Sequence, residues 1–233
     1  MANFKFQGQE YKYFTGSYND CRHNERAVEV ALAIDLVNKY KSGRILEVGD
    51  VLSNYISISH DVVDKYEKRK GVIQQDVVDY SPTENYDLIV SISTFEHVGW
   101  DDKEGRDPNK VLQAIDRTRW LLKEAGLMVV TMPLGYNDNL DQTVREHRLP
   151  FDKLLCMKRD DYNGWDEIGL DAALEMDTSR EPSFTGMMRD SNGNEISLNT
   201  VYTRFLLIGY IFGRPPRKQV KAVFTATMDA EAG

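Results

Sequence analysis

The sequence predicts an α/β fold, a doubly wound and mostly parallel sheet in a three-layer αβα arrangement. Short apolar runs rich in branched residues recur along the chain, as strands buried on both faces require. Helical patterns alternate with some of these runs, which is the order expected of βαβ units. Polar side chains follow the run at 87–92, at the carboxyl end where open α/β sheets bind their ligands.

The first predicted helix begins near Asn24, which can cap it, and its apolar residues recur with helical spacing as far as Val37. Gly43 follows a basic last turn and ends the helix. The strand 44–48 (RILEV) comes next, and Gly49 opens a turn after it. A strand followed by a glycine turn is typical of a nucleotide-binding loop.

Three further strands are predicted at 60–65, 71–78 and 87–92. Between Glu47 and Asp64 there is room for only about two turns of helix, at 3.6 residues per turn. The segment 66–70 is also too short for a crossover helix. We therefore expect the early helices of this fold to be shortened.

The second half of the chain predicts a helix over 109–124 that stops at Gly126, followed by a strand over 127–132. Two later strands are predicted at 154–158 and 205–212. The polar segments 135–153 and 176–200 are expected to be insertions or lids over the ligand edge. We expect one domain over residues 1–213 and a C-terminal tail over 214–233.

Composition limits the possible functions. The 233 residues are 41% hydrophobic with a mean hydropathy of -0.49, which indicates a soluble globular chain. A net charge of -8 opposes broad nucleic-acid binding, and no apolar run approaches the roughly 20 residues that membrane insertion needs. Cys21 and Cys156 form no disulfide framework and the start of the chain lacks a signal core, so we expect a cytoplasmic protein.

Five segments carry a family resemblance: ILEVG, VVDKYE, QQDVVDY, YDLIVSISTFEHVGW and LLKEAGLMVVTMPLGY. In that order, over residues 44–136, they resemble class I S-adenosylmethionine-dependent methyltransferases, which have a Rossmann-like fold. The EHV and KEAGLMVVTMP segments look like the small-molecule and glycan-associated branch. The resemblance implies S-adenosylmethionine as cofactor and a small molecule or glycan as methyl acceptor. The glycine loop departs from the family pattern, because EVGDVLS keeps only Gly49 and has Val51 and Ser53 where further glycines are expected.

The resemblance also implies a cofactor site at the ends of the first four strands. Glu47 and the loop from Gly49 match the part that holds the methionine moiety, Asp64 the ribose acid and Asp76 the adenine-side acid. The candidate cofactor-binding residues are Glu47, Gly49, Asp50, Asp64, Lys65, Asp76, Val77, Ile92 and Ser93. Independently of the resemblance, a carboxylate inside an apolar strand, such as Glu47, requires a partner.

His97 and Glu96 are the candidate catalytic residues. An imidazole with a pKa near 6.5 suits deprotonation of a hydroxyl or amine at neutral pH, with Glu96 fixing the ring or bounding the cofactor pocket. Arg22, His23 and Arg26 are further candidates, to contact an anionic group of the substrate. No metal is implied, and the oligomeric state stays open, with a homodimer as one option.

Three alternatives compete with a small-molecule methyltransferase. A catalytically inactive methyltransferase-like binding or scaffold protein would explain the missing loop glycines. A metal-dependent RNA methyltransferase would use the Glu-His pair with His147 or His60, but the acidic charge disfavours RNA. A nicotinamide-dependent oxidoreductase would need GxGxxG, of which only the first glycine is present.

Overall fold

The computed structural model describes residues 3–16, 18–21, 24–178, 181–189 and 195–214. Its α-helices are α1 Arg26–Lys39, α2 Lys110–Trp120, α3 Asp138–Arg145 and α4 Leu170–Leu174. Its strands are β1 Asn3–Phe6, β2 Gln9–Lys12, β3 Ile45–Val48, β4 Asp61–Asp64, β5 Val72–Gln74, β6 Tyr86–Ile92, β7 Leu122–Pro133, β8 Lys153–Arg159, β9 Trp165–Ile168, β10 Glu181–Arg189, β11 Glu195–Tyr202 and β12 Phe205–Phe212.

Eight strands form the central sheet in the order β5-β4-β3-β6-β7-β12-β8-β9. The first five are parallel, whereas β12 runs antiparallel between β7 and β8, and β9 is antiparallel to β8. The chain winds outward from β3 in one direction and from β6 in the other, so the strand order reverses between these two strands. This topology confirms the predicted doubly wound, Rossmann-like fold.

Alternate residues of the strands bury opposite faces of the sheet, because successive side chains point to opposite sides. Leu46 and Ile89 pack into one core with α2, α3 and α4, whereas Ile45 and Leu88 pack into another with α1. The hairpin of β1 and β2 extends the second face through Phe4 and Phe6. Helices therefore cover both faces, which confirms the predicted three layers.

The early helices are shortened as expected. One turn of 3-10 helix, Leu52–Asn54, stands between β3 and β4, and no helix joins β4 to β5. At the opposite end of these strands, a polar network ties them together: Asp61 Oδ2 accepts from Arg44 Nη2 and from the Tyr86 hydroxyl, both at 2.9 Å. Side-chain hydrogen bonds thus connect strands that have little helix packed between them.

The predicted helix over 109–124 was too long. Helix α2 ends at Trp120, and β7 begins two residues later. Gly126 lies within β7, where the pairing with β6 shifts from Tyr86–Leu122 to Leu88–Leu127. A Cβ at Gly126 would lie 2.9 Å from the Tyr86 carbonyl oxygen, so this glycine permits a close strand contact and does not stop a helix.

The polar segments 135–153 and 176–200, expected to be insertions or lids, contain regular secondary structure. Within 135–153, Asn137 caps α3 by accepting from the backbone N–H groups of Asn139 and Leu140, each at 3.0 Å. Within 176–200, β10 and β11 form an antiparallel hairpin. Their roles as lids stay predictions, and residues 179–180, 190–194 and the tail from 215 lie outside the described residues. The strands β8 and β12 confirm the predictions at 154–158 and 205–212.

Candidate functional site

A cavity of about 590 Å³ opens at the carboxyl ends of the parallel strands, in the size range of small-molecule sites. It lies beside the point where the strand order reverses, which is where ligands bind in open α/β sheets. Its lining residues are Val48, Gly49, Asp50, Val51, Val63, Asp64, Lys65, Tyr66, Glu67, Gln75, Asp76, Val77, Ser93, Thr94, His97, Val98, Asp101, Asp102 and Lys103.

Glu47 shapes the loop after β3. Its side chain is completely buried, and Oε1 accepts from the backbone N–H groups of Val51 at 2.9 Å and Leu52 at 2.8 Å. Its Oε2 lies 2.9 Å from Nε2 of His60. The buried carboxylate therefore has the partners that it requires, namely two N–H groups of the loop and a histidine. Glu47 itself does not line the cavity.

Gly49 is required at the start of this loop. Its φ is +88°, and a Cβ there would lie 2.2 Å from Oγ1 of Thr94. Val51, which stands where the family pattern has another glycine, has φ -101° and ψ -50°, a conformation that any residue adopts. The loop therefore needs its first glycine but not the later ones, because the chain turns into a 3-10 helix after Val51.

Asp64 lies at the end of β4, and one of its carboxylate oxygens accepts hydrogen bonds from the turn that follows. Oδ1 accepts from the N–H groups of Tyr66 at 2.7 Å and Glu67 at 2.8 Å, which holds the carboxylate at the cavity wall. Oδ2 lies 3.3 Å from the Asp50 N–H, a long hydrogen bond. Oδ2 is thus the atom of Asp64 best placed to accept from a ligand.

Asp76, predicted to be the adenine-side acid, belongs to a network of charges that the sequence did not predict. Lys110 Nζ lies 2.7 Å from Asp76 and also bonds Asp102, while Lys65 Nζ lies 3.4 Å from Asp76 and 3.3 Å from Asp102. Burial acts to raise the pKa of Asp76, but the hydrogen bonds and charges of the lysines outweigh it and lower that pKa. The segment around Asp102 is thereby fastened to the ends of β4 and β5.

His97 lies in a 3-10 turn, Phe95–His97, that follows β6, and its side chain is 46% exposed. Nδ1 lies 2.5 Å from Oδ2 of Asp101, and the Tyr136 hydroxyl donates to the same oxygen. The Tyr136 ring meets the imidazole edge-on, with centroids 4.5 Å apart. Asp101 thus orients the imidazole, which corrects the prediction that Glu96 does so, and Nε2 is the nitrogen left to accept a proton.

Glu96 does not line the cavity that it was predicted to bound. It is 1% exposed, and its Oε1 lies 3.7 Å from Nε2 of His97. Burial raises the pKa of Glu96 well above its usual range, and the nearby Glu29 adds to the effect. The turn that leads to Glu96 starts at Ser93, whose φ of +39° is held by hydrogen bonds from its N–H to Thr131 O at 3.0 Å and from its hydroxyl to Glu29 at 2.6 Å.

The Arg26 side chain forms hydrogen bonds within the protein. Its Nη1 donates to Glu29 Oε2 at 3.0 Å and to the Ile92 carbonyl oxygen at 3.4 Å, so a contact with an anionic substrate would compete with both. The other two residues proposed for that contact, Arg22 and His23, lie outside the described residues.

The structure brings eight of the predicted site residues to the cavity wall: Gly49, Asp50, Asp64, Lys65, Asp76, Val77, Ser93 and His97. Glu47, Ile92 and Glu96 lie behind that wall. Sequence reasoning missed Asp101 and Asp102. Asp101 carried one usable signal, because it follows His97 by four residues and a helical turn brings such pairs together.

Metal and membrane features complete the description. Within the described ranges, no three His, Cys, Asp or Glu side chains are grouped as metal ligands would be. His60 is bonded to Glu47, and His147 Nε2 lies 4.0 Å from Asp171. No helix in the described part of the chain is long and apolar enough to cross a membrane.

Neither a family model nor a curated protein matches the chain. Among solved structures, it is similar to the N-methyltransferase NodS from Bradyrhizobium japonicum in complex with S-adenosyl-L-homocysteine, at 14% identity and a TM-score of 0.37, over 79% of this chain and 85% of that one. It is also similar to the sugar N-methyltransferase KedS8 from a Streptoalloteichus species, at 11% identity and a TM-score of 0.40, over 81% and 88% of the two chains. A third is an S-adenosylmethionine-dependent methyltransferase from Clostridium acetobutylicum, at 9% identity and a TM-score of 0.37, over 83% and 76%. These similarities concern the fold alone, and the function must be argued from the site.

Proposed function

We propose that this protein binds S-adenosylmethionine and transfers its methyl group to an oxygen or nitrogen of a small molecule or glycan. The observation that carries the proposal is the acid-lined cavity at the switch point of the sheet, with the base candidate His97 in its wall. The cytosolic, soluble setting expected from the sequence suits such an enzyme.

The charges of the residues that line the cavity suit S-adenosylmethionine. Six acidic side chains and two lysines line it, which favours a ligand that carries a positive charge and hydroxyl groups. Oδ2 of Asp64 is available to accept from such hydroxyls, and Gly49 leaves room beside Thr94. When bound, the cofactor supplies a methyl group made electrophilic by its sulfonium.

His97 is suited to hold the proton that the acceptor gives up. Its Nδ1–H donates to Asp101, which fixes the tautomer and leaves Nε2 as the proton acceptor. The carboxylate of Asp101 also stabilises the imidazolium that forms. Burial acts to raise the pKa of Asp101, but the bonds from His97 and Tyr136 outweigh it, so this carboxylate is charged at neutral pH.

A catalytically inactive binding protein is the second candidate. One observation favours it: the carboxylate of Asp76 is already bonded to Lys65 and Lys110, so a ligand on the adenine side must compete with two cations. Such a protein would keep the fold and the cavity without turnover.

Calorimetric titration with S-adenosylmethionine and S-adenosylhomocysteine tests the proposal. Both should bind the wild type, and Asp64→Ala should weaken binding by roughly tenfold or more, as expected for loss of hydrogen bonds to a charged acceptor. Asp79→Ala is the control, because it removes an exposed aspartate that lies outside the cavity. A well-folded wild type that binds neither ligand would exclude the methyltransferase function.

A further inference from the structure

A second cavity, of about 650 Å³, adjoins the loop after β3. Its wall is built from residues 53–58 of that loop and from residues 69–72, which lead into β5. It also contains Val62, which pairs with Val72 in the parallel strands β4 and β5. Residues 65–71, which join these strands, form no helix. The short connection thus leaves a concave space of the size that binds small molecules.

Basic residues, without acidic ones, line this second cavity. Arg69, Lys70 and His60 belong to its wall, and none of its described lining residues is an aspartate or a glutamate. The first cavity has the opposite character, because six acids and two lysines line it. The chain as a whole carries a net charge of -8, so its composition does not explain a cavity without acids. This contrast favours an anionic ligand in the second cavity.

The Arg69 side chain connects the two cavities. Its Nη2 donates to Oδ1 of Asp50, which lines the first cavity, and to Oγ of Ser53, which lines the second. These contacts hold the guanidinium in place, whereas its Nε and Nη1 have no hydrogen-bond partner in the described part of the chain. Asp50 offsets one positive charge, but the exposed Lys70 has no ion pair within the described residues. A fixed guanidinium together with an ammonium group suits a phosphoryl group, which accepts several charge-assisted hydrogen bonds.

His60 adds a neutral hydrogen-bond acceptor to the same wall. Its side chain is only 4% exposed, and its Nε2 lies 2.9 Å from Oε2 of Glu47. Because the Glu47 carboxylate accepts from two backbone N–H groups as well, Nε2 carries the hydrogen and Nδ1 is the acceptor. Nδ1 has no partner among the described residues, and the hydroxyl of Ser57 lies in the same wall. These neutral polar groups suit the hydroxyl groups of a ligand.

We propose that the second cavity binds a small phosphate ester, with its phosphoryl group at Arg69 and Lys70. This inference goes beyond the methyl transfer proposed above and does not depend on it. A cavity of this size holds a small molecule and not a phosphoryl group alone, so the organic part of the ester shares the site. A hydroxyl group on that part donates to Nδ1 of His60. The site binds the ester, and no bond of the ester is made or broken there.

Titration with matched probes, followed by NMR, tests the proposal. Glucose 1-phosphate is the phosphate ester, inorganic phosphate tests the anion alone, and glucose tests the organic part alone, all at constant ionic strength. The imidazole signals of His60 report the second cavity, those of His97 report the first, and exposed His147 is the internal reference. We expect glucose 1-phosphate to shift His60 but not His97. It should bind roughly tenfold more tightly than inorganic phosphate or glucose, because each of them makes only part of the contacts.

Two lysine variants separate the cavity from the basic segment around it. Lys70→Gln should weaken binding of glucose 1-phosphate roughly fivefold, because it removes one charged donor. Lys68→Gln is the matched control, since Lys68 is equally exposed but lies outside the cavity, and it should leave the affinity unchanged. Equal losses in the two variants would overturn the proposal, because they would show general attraction to a basic segment. A shift of His97 in place of His60, no His60 shift through the millimolar range, or inorganic phosphate that binds as tightly as the ester would also overturn it, the last by showing an adventitious ion only.

Discussion

Glu47 and Glu96 are both buried glutamates near the carboxyl ends of neighbouring strands, yet their surroundings are opposite. Glu47 accepts from two backbone N–H groups and contacts His60, so both oxygens have partners. Glu96 has one oxygen without a hydrogen bond among the described residues and lies close to other acids. The first carboxylate is part of the framework, whereas the second has an oxygen that no described residue bonds.

The charged side chains in the two regions differ in the same way. On the side of β4 and β5, the acids Asp76 and Asp102 are matched by Lys65 and Lys110. Behind His97, the buried carboxylates of Glu29 and Glu96 both act on the charge of Arg26. Buried or partly buried carboxylates near the cavity therefore differ in how fully neighbouring groups compensate their charge. Four substitutions test this difference.

Glu47→Ala should have the largest effect. It leaves two loop N–H groups and His60 without their acceptor, and breaking a buried pair costs about 3 kcal/mol of unfolding free energy. Urea denaturation measures the loss, and calorimetry should show weakened cofactor binding because the loop is released. His60→Gln keeps a possible donor to Glu47 and should cost less; an equal loss would mean that the loop depends on the histidine and not on the carboxylate.

Gly49→Ala should follow, at about 2 kcal/mol, because its positive φ strains any side chain and the new Cβ meets Thr94. Gly71→Ala is the matched control: its φ is +94°, but no atom lies within 4 Å of the added Cβ. The difference between the two variants in urea denaturation isolates the clash with Thr94. Equal losses would show that Thr94 simply moves aside.

Glu96→Gln should have a smaller effect of opposite sign. The pKa of Glu96 is raised in the folded state, so its contribution to stability is fully present below the usual glutamate pKa and is lost as pH rises through the raised value. The glutamine variant has no such proton to lose, and it should exceed the wild type in stability at neutral and alkaline pH but not in acid. Denaturation across that pH range measures this, and a variant less stable at every pH would place Glu96 in the framework with Glu47.

Lys110→Met should have the smallest effect, about 0.5 kcal/mol, because Lys65 still faces both acids and partly exposed ion pairs contribute little. The pKa of Asp76 should rise as its main hydrogen-bond donor is lost, which a carboxyl NMR titration detects. An unchanged pKa would show that Lys65 alone compensates the charge of Asp76.

The sequence predicted the parallel strands well because each is a local apolar run whose burial needs no knowledge of distant residues. It predicted less well where neighbouring structure overrides local pattern. Residues 121–124 continue the helical pattern of α2, but Leu122 pairs with Tyr86 of β6 and Gly126 accommodates the Tyr86 carbonyl. The capping sequence around Asn137 was present in the chain, but its polar neighbours concealed the short apolar face of α3.

The candidate site divides in the same way. The order of strands along the chain determined by itself that Gly49, Asp64, Asp76 and His97 would reach one edge of the sheet, because carboxyl ends of parallel strands meet there. The tertiary structure was needed to show that Asp101 orients His97 and that Lys110 bonds Asp76. It was also needed to show that one oxygen of Glu96 has no hydrogen bond from the described residues. Strand burial follows from residues that are neighbours in the sequence, so local patterns predict it. A hydrogen bond depends on a few tenths of an ångström between side chains that irregular loops bring together, so local patterns do not predict it.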